Sequence, residues 1–445
     1  MFFSWFKKYK TEVTIVGLAL LMRGLFFVAY LIKFGDAGLA YGDASGYLTL
    51  VNNLLTHGKF SLFDTPPFHP DGYLTPGYPL LLTFFRLFTA KLWPVGLSQV
   101  ILGSCTAFLI YRLGSLWNKR IGFIAAIIFA LEPTIAFWTP VILTEVVFTF
   151  LLVLSFYLIL SGLKNGRWGL YFWGGFVLGL DALVRPSAQY IFYLFVLLSV
   201  VFLIARDWKK RLIRLLIFIV IFGATIAPWA MRNYRGWGTT SLSSAGWYIL
   251  AQFSVPEYIK FWKYFPPKKL VELPEAVSCG NSEAIAWNFD CLKENKEYVK
   301  AVWRANPRAA IAVHAAALAP FFFGDGYMFI LRTFWPEIEP PTVLFGARNL
   351  ADLPSVPFKL TNIYAIVFWI GKILWTTLYV MVIYGFFASL KNKEARLYIL
   401  LFAVTIFLFA LPAGAIAYAR YRFPVNPLIF LMFAYGLDRL LPKRK

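Results

Sequence analysis

Residues 13–32 read VTIVGLALLMRGLFFVAYLI, an apolar run that is broken by a single charge. About 20 apolar residues are enough to cross a bilayer as a helix. Continuous runs of similar length recur along the 445-residue chain, which is 60% hydrophobic and only 15% charged. Soluble domains carry about 25% charged residues, and membrane β-barrels alternate polar and apolar positions. The sequence therefore predicts an all-α polytopic membrane protein. Its first span is predicted to be retained, because no small-residue cleavage site follows it.

Ten transmembrane helices are predicted from these runs. They cover 13–32, 96–111, 121–138, 142–163, 168–184, 188–205, 212–231, 362–388, 397–412 and 424–441. Two further apolar stretches, 76–88 and 308–323, are predicted to be helices that lie along the outer interface. For 308–323, an eleventh crossing is the alternative that remains open.

The net charge of +21 follows the predicted topology and does not point to nucleic acid. With the N-terminus inside, the inner segments hold 20 Lys and Arg, whereas the short outer connections hold four. By the positive-inside rule, this bias predicts that both termini are cytoplasmic. The predicted location is the cytoplasmic (inner) membrane, with the long segments 33–95 and 232–361 on the outer side.

The chain is predicted to have three regions. Residues 1–231 form an N-terminal transmembrane module that includes the first outer loop, 33–95. Residues 232–361 form an extracytoplasmic cap, and residues 362–445 form the C-terminal transmembrane helices. Cys279 and Cys291 both lie in the cap, on the oxidising side, and are predicted to form a local disulfide.

No cofactor is predicted, because no His/Cys cluster has metal-ligand spacing. A divalent metal held by acidic residues is left open. No period-specific repeat is visible either, so the sequence gives no support to a repeat architecture or to an inverted-repeat transporter.

Polar residues gather at the predicted outer ends of five segments. In YGDASGYLTLVNNLL (41–55), Asp43 and Tyr47 stand four apart and would share one face of a helix. The other polar residues lie in WTPVILTEVVF (Glu145), LVRPSA (Arg185), APWAMRNYRGWG (Arg232 and Asn233) and AYARYRFP (Arg420 and Arg422). Each residue alone fits an ordinary helix cap or interfacial charge, and Asp181 is positioned to pair with Arg185 on one helix. Together, at one membrane depth, they predict a functional site.

Acids and arginines beside a lipid-accessible outer face suit one kind of reaction. Arginine forks can hold the phosphate of a lipid-linked sugar while its glycosidic bond breaks. The phosphate leaves as a stable anion and needs no general acid, whereas the attacking hydroxyl needs a nearby base such as Asp or Glu.

An ordered series of motifs resembles the GT-C superfamily of integral-membrane glycosyltransferases, in the branch of the protein O-mannosyltransferases and the lipid A aminoarabinose transferase. The motifs are GDASGYLTLVNNLLTHGKF, YLTPGYPLLLTFF, ALEPTIAFWTPVILTEVVF, GLDALVRPSA, APWAMRNYRGWG and ARYRFPVNPLIFLMFAYGL. The resemblance implies a polyprenyl-phosphate sugar donor, Asp43 as the base, Glu145 as the second acid and a donor pocket near Arg232. The chain has Thr75 where the aminoarabinose transferases place a lysine, and no WWD-type motif supports an oligosaccharyltransferase.

The sequence thus favours an inverting glycosyltransferase that moves a sugar from a polyprenyl-phosphate donor to a hydroxyl of a lipid, glycan or protein acceptor. The predicted roles are Asp43 as base, Glu145 as supporting acid, Arg232 with Asn233 and Arg420 or Arg422 at the phosphate, and Tyr47 and Tyr73 lining the pocket. A transporter or flippase of lipid-linked glycans is the main alternative, and it predicts repeats or polar residues near the bilayer midplane. A catalytically silent scaffold is the third, and it predicts that the acids can be exchanged freely.

Overall fold

The computed structural model describes residues 9–201, 208–267, 288–337, 363–414 and 418–441. Within these ranges the chain forms helices joined by turns and loops, without a strand. The α-helices, numbered in chain order, are α1 Lys10–Phe34, α2 Ala44–His57, α3 Gly77–Arg86, α4 Trp93–Gly114, α5 Lys119–Leu131, α6 Pro133–Trp138, α7 Glu145–Asn165, α8 Trp168–Val184, α9 Ala188–Val201, α10 Trp208–Trp237, α11 Ala245–Ile249, α12 Val255–Phe261, α13 Leu292–Ala305, α14 Pro307–Phe323, α15 Tyr327–Phe334, α16 Ile363–Ser389, α17 Lys393–Ala413 and α18 Asn426–Leu440. Short 3-10 helices cover Asp36–Leu39 and Ala419–Val425.

Six of these helices, α1, α4, α7, α10, α16 and α17, are each long and apolar enough to cross a membrane. The predicted fold class, an all-α polytopic membrane protein, is confirmed. The shorter apolar helices α8 and α9 coincide with two more predicted spans. The count of ten spans stays a prediction.

The predicted span 121–138 is divided into two helices at Glu132. The side chain of Glu132 accepts a hydrogen bond from the backbone N of Ile135 at 2.7 Å, which caps α6. Pro133 takes the first position of α6, where a backbone N–H is not needed. The break therefore has a cause in two consecutive residues, and α6 leads from it into the segment before Glu145.

Arg23 joins α1 to α5, although it lies within an apolar run. Its side chain is fully buried, and it donates to the carbonyl oxygens of Phe129 and Ala130, at 3.1 Å each. These carbonyls belong to the last turn of α5, where no helical partner remains for them. Two nitrogens of this guanidinium are therefore paired inside the protein, and their bonds join the two helices.

The helices α14 and α15 form a pair bent by 67°. At the far end of α15, the Nζ of Lys33 donates to the carbonyl of Phe334, beside the end of α1. In α14, the Nδ1 of His314 lies 2.8 Å from the carbonyl of Leu411, near the end of α17. A pair bent in this way fits a broken span or a re-entrant segment. The interfacial position predicted for 308–323, with an eleventh crossing as its alternative, therefore stays a prediction. The turn at 324–326 is called the α14–α15 bend below.

The predicted outer helix at 76–88 forms as α3. One face buries Tyr78 and Leu82, while Leu80 and Phe84 on the other face are more than half exposed. This distribution fits a helix that lies at a membrane surface.

The described parts of the predicted cap have a small core of their own. It consists of Ala251, Val255, Tyr258, Val299, Val302, Ala310 and Val313. Cys291 is disulfide-bonded, and Cys105 is a free cysteine. Cys279 lies outside the described residues, as does much of the predicted cap, so the boundaries of the three regions stay predictions.

Candidate functional site

Arg420 joins the two predicted acids. Its Nε donates to Oε1 of Glu145 at 2.7 Å, and its Nη2 donates to Oδ2 of Asp43 at 2.5 Å. The side chain of Glu145 is 1% exposed, that of Arg420 is 6% exposed and that of Asp43 is 64% exposed. The cluster therefore runs from a buried acid, through a guanidinium, to an acid that faces the exterior.

Glu145 is the first residue of α7 and receives a second arginine. Arg185, which follows the end of α8, places Nη2 3.4 Å from the same Oε1. The predicted pair between Arg185 and Asp181 is not formed within 4.0 Å, and both carboxylate oxygens of Asp181 lack a hydrogen-bond partner among the described residues. The backbone of Arg185 is already extended, with φ −142° and ψ 125°, so its side chain has left the face of the helix that Asp181 occupies.

The position of Asp43 is set by the short loop that follows α1. The backbone N of Ile142 donates to the carbonyl of Leu39 at 2.8 Å, which ties this loop to the segment before Glu145. Asp43 stands at the N-cap of α2 but makes no side-chain cap bond, and its carboxylate turns to Arg420. Gly42 has a φ of +60°, a conformation that glycine adopts without strain, and it lies beside the Nη1 of Arg420.

The two acids keep Arg420 charged. Burial acts to lower the pKa of this guanidinium, but the nearby carboxylates of Glu145 and Asp43 outweigh burial and hold the pKa above its ordinary value. The cation can therefore serve as a permanent positive centre on which an anionic group could bind.

Tyrosines surround this cluster. The ring of Tyr47 lies 5.0 Å from that of Tyr78, whose hydroxyl donates to Gln99 at 2.8 Å. Burial raises the pKa of Tyr47 to about 12, with Arg185 opposing the shift and Glu145 and Asp43 adding to it. At neutral pH the Tyr47 hydroxyl is therefore neutral and can donate a hydrogen bond.

Tyr73 is electrostatically coupled to the same cluster. Its pKa is raised by burial and, next, by the neighbouring Tyr47 and Asp43. Two contacts hold the loop of Tyr73 against the end of α8. The hydroxyl of Thr75 donates to the carbonyl of Val184 at 3.0 Å. The backbone at Gly77 approaches so closely that an added Cβ would lie 2.7 Å from the carbonyl oxygen of Leu183. The loop is therefore pressed against the end of α8, directly before Arg185.

Two further tyrosines at the site were missed from the sequence. The rings of Tyr418 and Tyr421 lie 4.9 Å apart, and the hydroxyl of Tyr418 is 3.5 Å from Nη1 of Arg420. Burial raises the pKa of Tyr421 to about 12, so its hydroxyl is also neutral. Their place on either side of Arg420 in the sequence was the available signal.

Arg232 contacts the loop that carries Tyr73. Its Nη1 donates to the carbonyl of Asp71 at 2.7 Å and to the side chain of Asn233 at 2.9 Å. Its guanidinium carbon lies 4.5 Å from the ring centre of Trp229. Asn233 is fully buried and donates to a backbone carbonyl at 2.8 Å. These contacts hold backbone in place beside the cluster of Asp43, Glu145 and Arg420.

Asp71 organises the same loop. Its carboxylate accepts hydrogen bonds from the backbone N of Tyr73 at 3.2 Å and of Leu74 at 2.8 Å. Burial raises the pKa of Asp71 to about 6, against the opposing effect of these bonds and of Arg232.

Arg422 is 1% exposed, and its side chain contacts the α14–α15 bend. Its Nη1 donates to the carbonyl of Phe321 at 2.6 Å and to that of Phe322. Its Nη2 donates to the carbonyl of Gly324 at 2.7 Å, and its Nε to Asn426 at 3.0 Å. This guanidinium caps the end of α14, where carbonyls lack helical partners.

In the described part of the chain, no group of three or more His, Cys, Asp or Glu residues could hold a metal ion. The space between the carboxylates of Asp43 and Glu145 is bridged by Arg420. A role for a divalent metal stays open.

Residues 69–231 match the family model described as dolichyl-phosphate-mannose-protein mannosyltransferase. This segment includes Tyr73, Glu145, Arg185 and most of α10. No curated protein sequence matches the chain.

Two solved structures of an oligosaccharyltransferase from Archaeoglobus fulgidus share the fold. AglB in complex with an inhibitory peptide and a dolichol-phosphate has a TM-score of 0.53 at 14% identity, with 98% of this chain and 51% of that chain covered. The enzyme tethered by a disulfide to an acceptor peptide with the NVT sequon has a TM-score of 0.55 at 14% identity, with 98% and 50% covered. The present chain thus spans about half the length of these structures, and at this identity the likeness shows the fold alone.

Proposed function

We propose that this chain is a member of the GT-C superfamily and an inverting glycosyltransferase that moves a sugar from a polyprenyl-phosphate donor to the hydroxyl of an acceptor. The family match over 69–231 supports a lipid-phosphate sugar as donor. The observation that carries the proposal is the placement of Arg420 between the exposed Asp43 and the buried Glu145.

In this proposal Asp43 is the base. Its carboxylate is the exposed member of the cluster and can be reached by an acceptor hydroxyl. The acceptor oxygen bonds to the anomeric carbon from the face opposite the phosphate, while the bond from that carbon to the phosphate oxygen breaks. The hydroxyl proton passes to Asp43, and the electron pair of the broken bond leaves with the polyprenyl phosphate. Attack from the opposite face inverts the anomeric centre.

Arg420 couples donor binding to the freeing of this base. A guanidinium has five N–H donors, and here one on Nε holds Glu145 and one on Nη2 holds Asp43. The phosphate of a donor competes with Asp43 for the Nη edge, because it binds that edge with two parallel bonds. Loss of the ion pair to Arg420 frees the Asp43 carboxylate to accept a hydrogen bond from the acceptor hydroxyl. The base is then available when the donor is in place.

Glu145 is the supporting acid, since it lies too deep to meet an acceptor and orients both Arg420 and Arg185. Arg185 has a 25% exposed side chain and supplies a second cation for the phosphate. Tyr47 and Tyr73 line the pocket with neutral hydroxyls. Arg232 and Asn233 support the loop of Tyr73, and Arg422 supports the α14–α15 bend.

The proposed orientation places Asp43 on the outer side of the cytoplasmic membrane and both termini in the cytoplasm. The excess of Lys and Arg at the opposite ends of the helices supports this orientation. The proposed acceptor is a lipid, glycan or protein hydroxyl on that side.

The proposal is tested with the purified protein and a panel of polyprenyl-phosphate sugars. We expect at least one donor to release free polyprenyl phosphate in the presence of acceptor, with the product sugar inverted at its anomeric carbon. Vesicles that contain the protein provide the second measurement, because a flippase would move labelled lipid across the bilayer without cleaving it. Movement without cleavage for every donor would overturn the glycosyltransferase.

A further inference from the structure

A cavity of about 750 Å³ opens among α16, α17 and α18, far from the Asp43 cluster. Its lining includes Tyr384, Phe387, Lys391, Asn392, Lys393 and Arg439. Lys393 is the first residue of α17, and Arg420 follows the other end of that helix. Since α17 has 21 residues and a helix rises about 1.5 Å per residue, roughly 30 Å separate the two sites along it. The cavity therefore lies near the opposite membrane face.

The charge of this cavity is one-sided. Lys391, Lys393 and Arg439 line it, and no carboxylate does. Two acids are adjacent in sequence: Glu394 follows Lys393, and Asp438 lies 3.7 Å from Arg120, which partly neutralises it. Within the described ranges, none of the three lining cations has a nitrogen within 4.0 Å of a carboxylate oxygen. Within the part of the chain that the structure describes, the cavity thus holds three cations without a carboxylate counter-ion.

The remaining wall is aromatic and turned outward. Tyr384 and Phe387 stand three residues apart on one face of α16, and their exposed fractions are 40% and 62%. Neighbouring apolar side chains of α16, among them Ile383 at 56% and Val380 at 53%, continue the exposed surface toward the centre of the helix. A ligand with a charged head and an apolar body satisfies both parts of this site, whereas a small soluble anion satisfies only the first.

We propose that this cavity binds the phosphodiester headgroup of an anionic phospholipid from the leaflet opposite the Asp43 site. The phosphate oxygens accept hydrogen bonds from Lys391, Lys393 and Arg439, and the acyl chains lie against α16. Basic pockets between transmembrane helices are a recurrent form of lipid headgroup site. The bound lipid would join α16, α17 and α18, and α17 and α18 flank the 3-10 helix that carries Arg420.

The test compares two matched double variants of the full-length protein. Lys391→Gln with Lys393→Gln removes two cations from the cavity. Lys209→Gln with Lys210→Gln removes two exposed cations from the start of α10, at the same membrane face. Each protein is equilibrated in micelles with phosphatidylglycerol or phosphatidylcholine, and bound lipid is counted by native mass spectrometry. Arg439→Gln is measured in the same way as an independent variant.

We expect wild type and the α10 variant to retain phosphatidylglycerol in preference to phosphatidylcholine. A cation near a membrane surface contributes about fivefold to binding of anionic lipid, so the cavity variant should lose at least about tenfold of this preference. Equal retention by the two double variants would overturn the proposal. A second arm adds inorganic phosphate or glycerol phosphate and follows the melting temperature. Stabilisation by these soluble anions equal to that by phosphatidylglycerol would assign the cavity to free phosphate and overturn the lipid.

Discussion

Arg420 and Arg422 stand two residues apart in one 3-10 helix, yet their side chains enter different regions of the molecule. Arg420 bridges two carboxylates, one of which faces the exterior. Arg422 is 1% exposed, and it donates to three carbonyls at the α14–α15 bend and to Asn426. The first guanidinium can exchange a partner for a ligand. The second cannot do so without leaving buried groups, the carbonyl of Phe321 and the side chain of Asn426, unpaired.

Charge and membrane depth therefore do not distinguish a binding arginine from a positioning one. What distinguishes them is whether a partner can be given up at low cost. Asp43, at 64% exposure, can be resolvated when Arg420 turns to a phosphate. The carbonyl of Phe321 is buried and cannot be resolvated in the same way.

The strongest loss of activity is expected when the carboxylate partner of Arg420, Asp43, is replaced. Asp43→Asn keeps the size of the side chain but removes the base, and no cap bond is lost because Asp43 makes none. We expect turnover to fall by at least about 10²-fold. Donor binding should not be weakened, because Asp43 no longer competes with the phosphate for Arg420, and the melting temperature should stay near that of wild type. Release of polyprenyl phosphate in single-turnover reactions measures the first quantity, and a donor-binding titration measures the second.

Asp64→Asn is the matched control, because Asp64 is an exposed acid of the same outer loop and lies outside the cluster. It should turn over as wild type does. Turnover of Asp43→Asn near that of Asp64→Asn would remove Asp43 from the mechanism and leave Glu145 as the remaining acid.

The second prediction concerns lysine in place of arginine, introduced separately at Arg422 and at Arg420. In Arg422→Lys one ammonium cannot serve all four acceptors, and unpaired buried groups cost about 1–3 kcal/mol each. We therefore expect a melting temperature lower by several degrees, with kcat of the folded fraction within about twofold of wild type. In Arg420→Lys the fork is lost but the charge remains, so kcat/KM should fall at least about tenfold with little change in melting temperature. The reverse pattern would mean that the two arginines have been assigned to the wrong regions.

Some of this arrangement was available from the sequence, and the reasons for the rest are local. Apolar runs predicted the helices, and acids and arginines at the ends of those runs predicted residues that the structure brings together, since Asp43, Glu145 and Arg420 meet. The sequence could not assign different roles to Arg420 and Arg422, because the partners that distinguish them, Asp43 and the carbonyl of Phe321, lie 377 and 101 residues away along the chain. The spacing of Asp181 and Arg185 predicted a pair only if the helix continued, but it ends at Val184.

The third prediction concerns Arg232, whose contacts resemble those of Arg422 more than those of Arg420. It binds the carbonyl of Asp71 and stacks on Trp229. We expect Arg232→Ala to lower the melting temperature and, through the loop of Tyr73, to reduce kcat by about three- to tenfold, with donor affinity changed less than threefold. Arg232→Lys should recover part of the stability by restoring the cation beside the ring. A donor dissociation constant raised tenfold or more in Arg232→Ala would instead place this arginine at the phosphate.

The weakest effect is expected in the pH dependence of stability, through Asp71 in the loop that Arg232 supports. The buried Asp71 has a pKa raised to about 6, above the ordinary value of 3.8. The folded protein therefore binds this proton more tightly than the unfolded chain does. Protonation of Asp71 favours folding below about pH 4, and this contribution is lost as the pH rises through about 6. Its size is at most about 3 kcal/mol, since one pKa unit corresponds to about 1.4 kcal/mol.

Acidification also weakens ion pairs elsewhere, so the contribution of Asp71 is visible only as a difference between variants. When the pH is lowered from 7.5 to 5, we expect the melting temperature of wild type to fall less, or to rise more, than that of Asp71→Asn, whose side chain at this position cannot titrate. Asp64→Asn, which removes an exposed carboxylate, should follow wild type. If Asp71→Asn and wild type show the same pH dependence, the Asp71 carboxylate is ionised in the fold throughout this range. The loop would then be held by an ion pair between Asp71 and Arg232. In that case Arg232 would resemble Arg420, which pairs with carboxylates, more than Arg422, which donates to carbonyls.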